Sequence, residues 1–128
     1  MAKANIFLPD TNIFILGFQQ GTIEAEFLDE IISKGNLYIS VVVVSEFLAN
    51  ADNSEIMNFE KLLNTFIVLP VDTEVAIQAA EYRRQSLKKK RSEMLDCFLA
   101  AQAKLNNLTL VTNDKSDFPM KDIKVITP

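Results

Sequence analysis

Histidine is absent from all 128 residues, and there is one cysteine, Cys97. Without imidazole there is no Ser-His-Asp or Cys-His catalysis and no His-containing metal site. A lone cysteine forms no intramolecular disulfide and no Cys-rich zinc or iron–sulfur centre. Only 3 Gly and 4 Pro are present, too few for a disordered or collagen-like chain. Neither G-x-G-x-x-G nor G-x-x-x-x-G-K-[ST] occurs, so the phosphate-cradling loops of nucleotide-binding folds are excluded. No apolar run approaches the ~18–20 residues of a membrane span. Ile6–Leu8 after Met1–Asn5 is too short for a signal-peptide core. The expectation is a soluble, cytoplasmic protein without a membrane partner.

What remains is rich in apolar residues and in carboxylates. Hydrophobic residues make up 48%, enough for the core of a single domain spanning residues 1–128. Against 13 basic residues stand 17 acidic ones, a net charge of −4. An enzyme of this composition must work with Asp, Glu, Lys, Ser, Thr, Tyr or Cys97. Carboxylates suit hard divalent cations.

Hydrophobic periodicity then orders the elements. Asn5–Leu8 reads as a first strand stopped by Pro9-Asp10. Ile23, Phe27, Leu28, Ile31 and Ile32 recur at helical spacing between a Thr22 cap and Gly35. Leu37–Ser40 reads as strand. Val41–Val44 favours strand by propensity, yet Val43, Phe47 and Ala51 share a helical face, so about Val41–Asn50 reads as helix. A helix capped by Ser54 follows, then a strand at Phe66–Leu69. Next come a helix capped by Asp72 and a helix opened by Ser92 that ends at Asn106-Asn107. Leu108–Thr112 and Lys124–Ile126 are the last strands. Strands alternating with helices predict a three-layer α/β/α fold around a parallel sheet. In such folds, sites form beyond the carboxyl ends of the strands.

The acids concentrate at that edge. Asp10 follows strand one, and Asp114 and Asp117 follow strand four. Glu46 lies early in the helix after strand two. Asp96 lies near the start of the helix before strand four, which runs antiparallel to the strands. Glu46 and Asp96 interrupt the apolar runs 41–48 and 94–99, where a charge is costly unless paired or metal-bound. Two carboxylates ~4 Å apart repel by roughly 4 kcal/mol at an effective dielectric of ~20. Oxygen-only ligands point to Mg²⁺ or Mn²⁺, which activates water and neutralises phosphodiester charge.

These residues fall in an ordered set. Asp10-Thr11-Asn12, Ser45-Glu46, Leu95-Asp96 before Cys97–Ala101, and Leu110–Asp114 with Asp117-Phe118 run across nearly the whole chain. The set resembles the PIN-domain ribonuclease family, particularly the VapC-type toxins of toxin–antitoxin modules. The resemblance implies a sheet ordered 3-2-1-4-5 and Mg²⁺- or Mn²⁺-dependent cleavage of RNA to 5′-phosphate ends. It also implies a homodimer and a cognate antitoxin. By the same resemblance, Asp10, Asp96 and Asp114 hold metal, and Glu46 holds or orients the attacking water. Thr11 and Thr112 are supporting hydroxyls. Many relatives carry Thr-Arg-Asn where this chain has Thr112-Asn113-Asp114, which leaves Asp117 as the alternative fourth acid.

RNA binding needs positive charge, and Arg83, Arg84, Lys88, Lys89, Lys90 and Arg91 supply it just before the Asp96 helix. Tyr82 is either a base-stacking or a packing residue, and Cys97 reads as core. Phe14, Phe18, Phe27, Met57 and Phe59 exceed what a sheet-facing stripe needs, so part of this set is expected exposed as a partner groove. Two rival readings stand: a receiver-like phosphoacceptor using Asp72 and Thr112, and a catalytically inactive fold kept as a protein-binding module.

Overall fold

The computed structural model describes residues 5–86 and 93–128. Among the described residues, five short strands are connected mostly by pairs of helices, six α-helices in all. They are β1 (Phe7–Pro9), α1 (Thr11–Gly17), α2 (Ile23–Ser33), β2 (Tyr38–Ser40), α3 (Val41–Asn50), α4 (Asn53–Thr65) and β3 (Ile67–Leu69). Then follow α5 (Thr73–Ser86), α6 (Met94–Leu105), β4 (Thr109–Val111), a 3₁₀ turn at Lys115–Asp117 and β5 (Lys124–Ile126).

All strand pairs are parallel. β1, β4 and β5 form one ladder in that order, and β2 pairs with β3 in a second. A single parallel bridge, Phe7 to Leu37, joins β1 to the chain entering β2, with Phe7 N–H donating to Asn36 O at 2.9 Å. The expected parallel sheet is present, but its hydrogen bonding is split at this junction instead of running through one continuous five-stranded ladder.

The valine run is helical, because Ser40 caps α3: its Oγ accepts from Val42 N–H at 3.1 Å. Val42, Val43 and Phe47 then face the core while Val41 stays exposed. β propensity loses to an apolar face that only a helix can present. Thr22 caps α2 through Ala25 N–H, and Asp72 caps α5 through Val75 N–H at 2.9 Å, both as the sequence suggests.

Three details differ from the sequence reading. Two helices, not one, separate β1 from β2, since Asp10-Thr11-Asn12 opens α1 instead of ending in a plain turn. The cap of α4 is Asp52, in a reciprocal capping box with Glu55, and Ser54 lies inside the helix. Ser92, the expected opener of α6, lies outside the described residues. The helix is preceded by Glu93, whose side chain makes no cap hydrogen bond.

The aromatic residues do not form an open groove. Phe14 and Phe59 are fully buried, meeting edge to face with centroids 5.4 Å apart. Phe47 stacks on Phe59 at 4.4 Å, and Phe18 closes the cluster edge-on to Phe47. Phe27 packs edge-on against Phe7. Of the five residues expected to supply a partner groove, only Met57 is exposed.

Helices α1 and α2 meet at Gly17, where a methyl group would sit 2.2 Å from Leu28 Cδ1 and 3.2 Å from its Cγ. Leu28 is itself buried, with nowhere to retreat. Gly17→Ala should therefore lower stability by ~1–3 kcal/mol, as overpacking does. A urea midpoint equal to or above that of the parent chain would show that Leu28 repacks freely.

Candidate active site

The parallel strands deliver their carboxyl ends, and the N-termini of α1, α3 and α6, to one edge. There a cleft of about 410 Å³ is lined by Asp10, Thr11, Asn12, Glu46, Asp96 and Asp117, with Val42, Leu95 and Leu99 among its apolar walls. Acids from four separate chain segments thus meet in one depression.

Asp10 leaves β1 and caps α1, its Oδ1 accepting from Ile13 N–H at 3.3 Å. Burial raises its pKa and is the largest influence; hydrogen bonds from the Thr112 hydroxyl and from backbone N–H groups lower it, and repulsion from Glu46 raises it further. The net shift is upward. Thr112 is completely buried and also accepts from Asp114 N–H at 3.0 Å, so one hydroxyl links the exits of β1 and β4. Thr11 Oγ1 donates to Glu46 Oε1 at 2.8 Å, fixing that carboxylate against α1. Both threonines therefore touch acids.

Asp96 is the most perturbed carboxyl of the cleft. It sits in the first turn of α6, half-buried, and its pKa is pushed up to about 7. Burial is the main cause; repulsion from Asp117, Asp10, Glu46 and Glu93 adds to it. The helix N-terminus favours the charged form here, yet burial and the surrounding acids outweigh it. Glu46 differs from expectation. Although it interrupts an apolar run, it lies on the exposed side of α3, so burial is not what makes it notable.

Asp114 and Asp117 take different positions. Asp117 lines the cleft and repels Asp96. Asp114 is exposed, is not among the lining residues, and caps the 3₁₀ turn: its Oδ1 accepts from Ser116 N–H at 3.2 Å and from Ser116 Oγ–H at 2.5 Å. Sequence position alone does not separate these two acids. The Asx-turn pattern Asn113-Asp114-Lys115-Ser116 is the signal that marks Asp114 as a local cap.

Of the basic residues, Arg83 and Arg84 are described, and neither lines the cleft. Arg84 is exposed and ion-paired with Glu81. Arg83 is half-buried; its Nη1 is buried and has no hydrogen-bond partner among the described residues. Lys88, Lys89, Lys90 and Arg91 lie outside the described residues. Tyr82 is a packing residue, 3% exposed, with its hydroxyl donating to Asp122 at 2.7 Å. Cys97 is fully buried, and burial raises its thiol pKa, so it is core as expected.

Sequence reasoning does not single out Gln102 in α6. It is fully buried; Oε1 accepts from Ser40 Oγ at 2.5 Å, and Nε2 donates to Leu69 O at 3.1 Å and Pro70 O at 3.0 Å. A glutamine within Ala100-Ala101-Gln102-Ala103, on an otherwise buried face, was the available signal.

The donor set fits a hard divalent cation in its chemistry: carboxylate oxygens, hydroxyls, no thiolate and no imidazole. Among the described residues, no group of three or more acidic or cysteine side chains is arranged to hold a metal ion as it stands. The acids ring the cleft without converging, and their unrelieved repulsion shows in Asp96.

The family model of the PIN domain matches residues 7–124. No curated protein sequence matches the chain. Among solved structures, the fold is similar to a chain of DNA-bound VapBC from Salmonella typhimurium, with TM-score 0.80, 20% identity, and 97% of this chain and 98% of that one covered. It is similar to FitAcB from Neisseria gonorrhoeae, with TM-score 0.77, 25% identity, and 94% and 96% covered. It also resembles VapC20 of Mycobacterium tuberculosis, described as a sarcin-ricin loop cleaving toxin, with TM-score 0.64, 14% identity, and 92% and 98% covered. With the family model matched over residues 7–124, this chain belongs to the PIN domain family.

Proposed function

We propose that this chain is a divalent-metal-dependent endoribonuclease, the toxin of a toxin–antitoxin pair acting in the cytoplasm. The observation that carries the reading is the four-acid cleft, in which burial and then the neighbouring acids push the Asp96 pKa up to about 7. Support for RNA as substrate comes from the family and from the toxin VapC20, which is described as cleaving the sarcin-ricin loop. Support for an antitoxin comes from the VapBC and FitAcB neighbours. The two ladders joined at Phe7 and Leu37 support a sheet ordered 3-2-1-4-5.

Asp10, Asp96 and Asp117 are assigned to hold Mg²⁺ or Mn²⁺. Asp117 is preferred to Asp114 because it lines the cleft, whereas Asp114 caps a turn. The bound ion supplies charge neutralisation at the phosphodiester and a lower pKa for water. Thr112 holds Asp10 in place, and Thr11 holds one oxygen of Glu46, leaving the other to orient the attacking water. Attack at phosphorus breaks the bond to the ribose 3′ oxygen, which takes up a proton, and leaves a 5′-phosphate. Arg84 and the Lys88–Arg91 run are assigned to the RNA backbone. The exposed Met57 and Ile23 support a protein contact, either the homodimer or the antitoxin.

The receiver-like alternative has less geometry to stand on. Asp72 caps α5 and does not line the cleft. Asp72→Asn keeps a good N-cap and should leave cleavage unchanged within about twofold. The decisive experiment is cleavage of single-stranded RNA with Mg²⁺ or Mn²⁺ and with EDTA. Cleavage should require the metal, and the metal should raise the melting temperature. Full cleavage in excess chelator sinks the metal role. No cleavage under any condition, with a dimer and partner binding intact, leaves the protein-binding module.

A further inference from the structure

A second cavity, of about 470 Å³, adjoins the acidic cleft. It is lined by Tyr82, Gln85, Ser86, Ser116, Met120 and Lys121, with Pro119 and Asp122 completing its wall. Its character is opposite to that of the cleft. Pro119 and Met120 give apolar surfaces, the nearly buried Tyr82 ring backs them, and polar groups stand only at intervals. The two cavities share a wall. Ser116 faces this one and Asp117 the cleft, and they are consecutive residues of the same 3₁₀ turn. Their Cα atoms are therefore only ~3.8 Å apart.

The far wall is held in place. Tyr82 OH donates to Asp122 Oδ1 at 2.7 Å, and Lys104 Nζ pairs with Asp122 Oδ2 at 2.9 Å. Lys104 also lies 5.9 Å from the Tyr82 ring centroid. The cavity therefore exists before any ligand arrives, which spares a ligand the cost of ordering it. Ser86 Oγ donates to Arg83 O and keeps lone pairs to accept with. The Gln85 amide nitrogen donates to Glu81 Oε1 at 3.4 Å, and its carbonyl oxygen can accept from a ligand. Lys121 adds a cation at the rim.

We propose that this cavity is a nucleobase subsite, receiving one unstacked base of the RNA strand whose phosphodiester lies in the acidic cleft. The proposal rests on the nuclease reading and deepens it. A base is a flat, mostly apolar ring with hydrogen-bonding edges, which matches these walls and the Gln85–Ser86 edge. A single strand threading the cleft must carry the base beside its scissile phosphate somewhere, and the shared 3₁₀ wall offers this cavity as the adjacent space. Lys121 then faces the phosphate that follows the bound base. Base contacts of this kind give sequence or position preference, while the acids act on any phosphodiester.

The test is an abasic walk. A short single-stranded RNA with one cut site is prepared with an abasic nucleotide at each position in turn. Each is assayed with the parent chain and with Met120→Ala and Gln85→Ala. One position within about two nucleotides of the cut should raise KM about 5–150-fold in the parent chain, the range expected for losing one stacked base. Met120→Ala on the intact RNA should raise KM by a similar factor, far more than it lowers kcat. The two losses should not multiply when combined. Equal sensitivity at all positions, or multiplying losses, overturns the subsite. Anisotropy titrations of the same RNAs without metal give the subsite a readout independent of cleavage. Selective loss at one abasic position with no cleavage in Mg²⁺ or Mn²⁺ keeps the subsite and fails the nuclease reading. Cleavage with no position-selective loss does the reverse.

Discussion

Asp96→Asn should yield a chain that folds more stably and cleaves at least about 100-fold more slowly. The slowing follows because losing even an outer partner of a metal ligand costs ~10–100-fold, and Asp96 is assigned as a ligand. The stabilisation follows from the crowding of acids. In the folded chain the Asp96 carboxyl titrates near 7 against an ordinary 3.8, because burial and four neighbouring carboxylates disfavour its charge. The sign is fixed by linkage. A raised folded pKa gives stability that is complete below the ordinary value of 3.8, falls as pH rises, and is gone above about 7. In EDTA the parent chain should therefore lose stability between about pH 4 and pH 7. Asparagine keeps the neutral form at every pH, so this part of the slope disappears. Near neutral pH and above, Asp96→Asn should exceed the parent chain by about 1–3 kcal/mol, a range that allows for solvent screening of a half-exposed site. Urea unfolding at both ends of that pH window measures it. An unchanged pH slope in the variant would show that other acids carry the repulsion.

That crowding was partly legible before any coordinates. Asp10 and Asp96 stood at strand and helix ends that alternating elements must bring to one edge, so their meeting followed from topology. Val41–Val44 was legible as helix because Phe47 and Ala51 completed its face. Two kinds of information were not local in sequence. The first is which carboxylate of a close pair turns inward. Asp114 and Asp117 are three residues apart in one short turn, and a 3₁₀ turn sends them in different directions. The second is burial. Glu46 sits in an apolar run yet is exposed, because the apolar residues around it serve the opposite face of α3. Phe14 and Phe59 looked surplus to a sheet-facing stripe. In fact α1 and α4 meet each other over them, a contact between helices that periodicity within either one does not reveal. The short α1 was hidden for a related reason. Its seven residues give barely two turns of pattern, and its cap, Asp10, is also a site acid.

Gln102→Met should cost about 2–4 kcal/mol, although methionine nearly matches glutamine in shape. The loss comes from what is left behind. Gln102 accepts the Ser40 hydroxyl proton, and its amide meets the carbonyls of Leu69, the last residue of β3, and Pro70 just after it. Ser40, Gln102 and Leu69 are buried and Pro70 lies at their edge, and each orphaned buried polar atom costs ~1–3 kcal/mol. Ser40 in turn caps α3, so the same network fixes the helix that carries Glu46 to the helix that carries Asp96. A double-mutant cycle separates the parts. Ser40→Ala alone should cost ~1–2 kcal/mol, through the lost cap and the unpaired glutamine oxygen. In the Gln102→Met background it should cost less, because its hydroxyl is already without that acceptor. Urea midpoints of the four chains give the coupling directly. A Gln102→Met variant within about 0.5 kcal/mol of the parent would mean that water enters and satisfies the three groups. Full additivity with Ser40→Ala would mean that the 2.5 Å contact between the two side chains contributes nothing of its own.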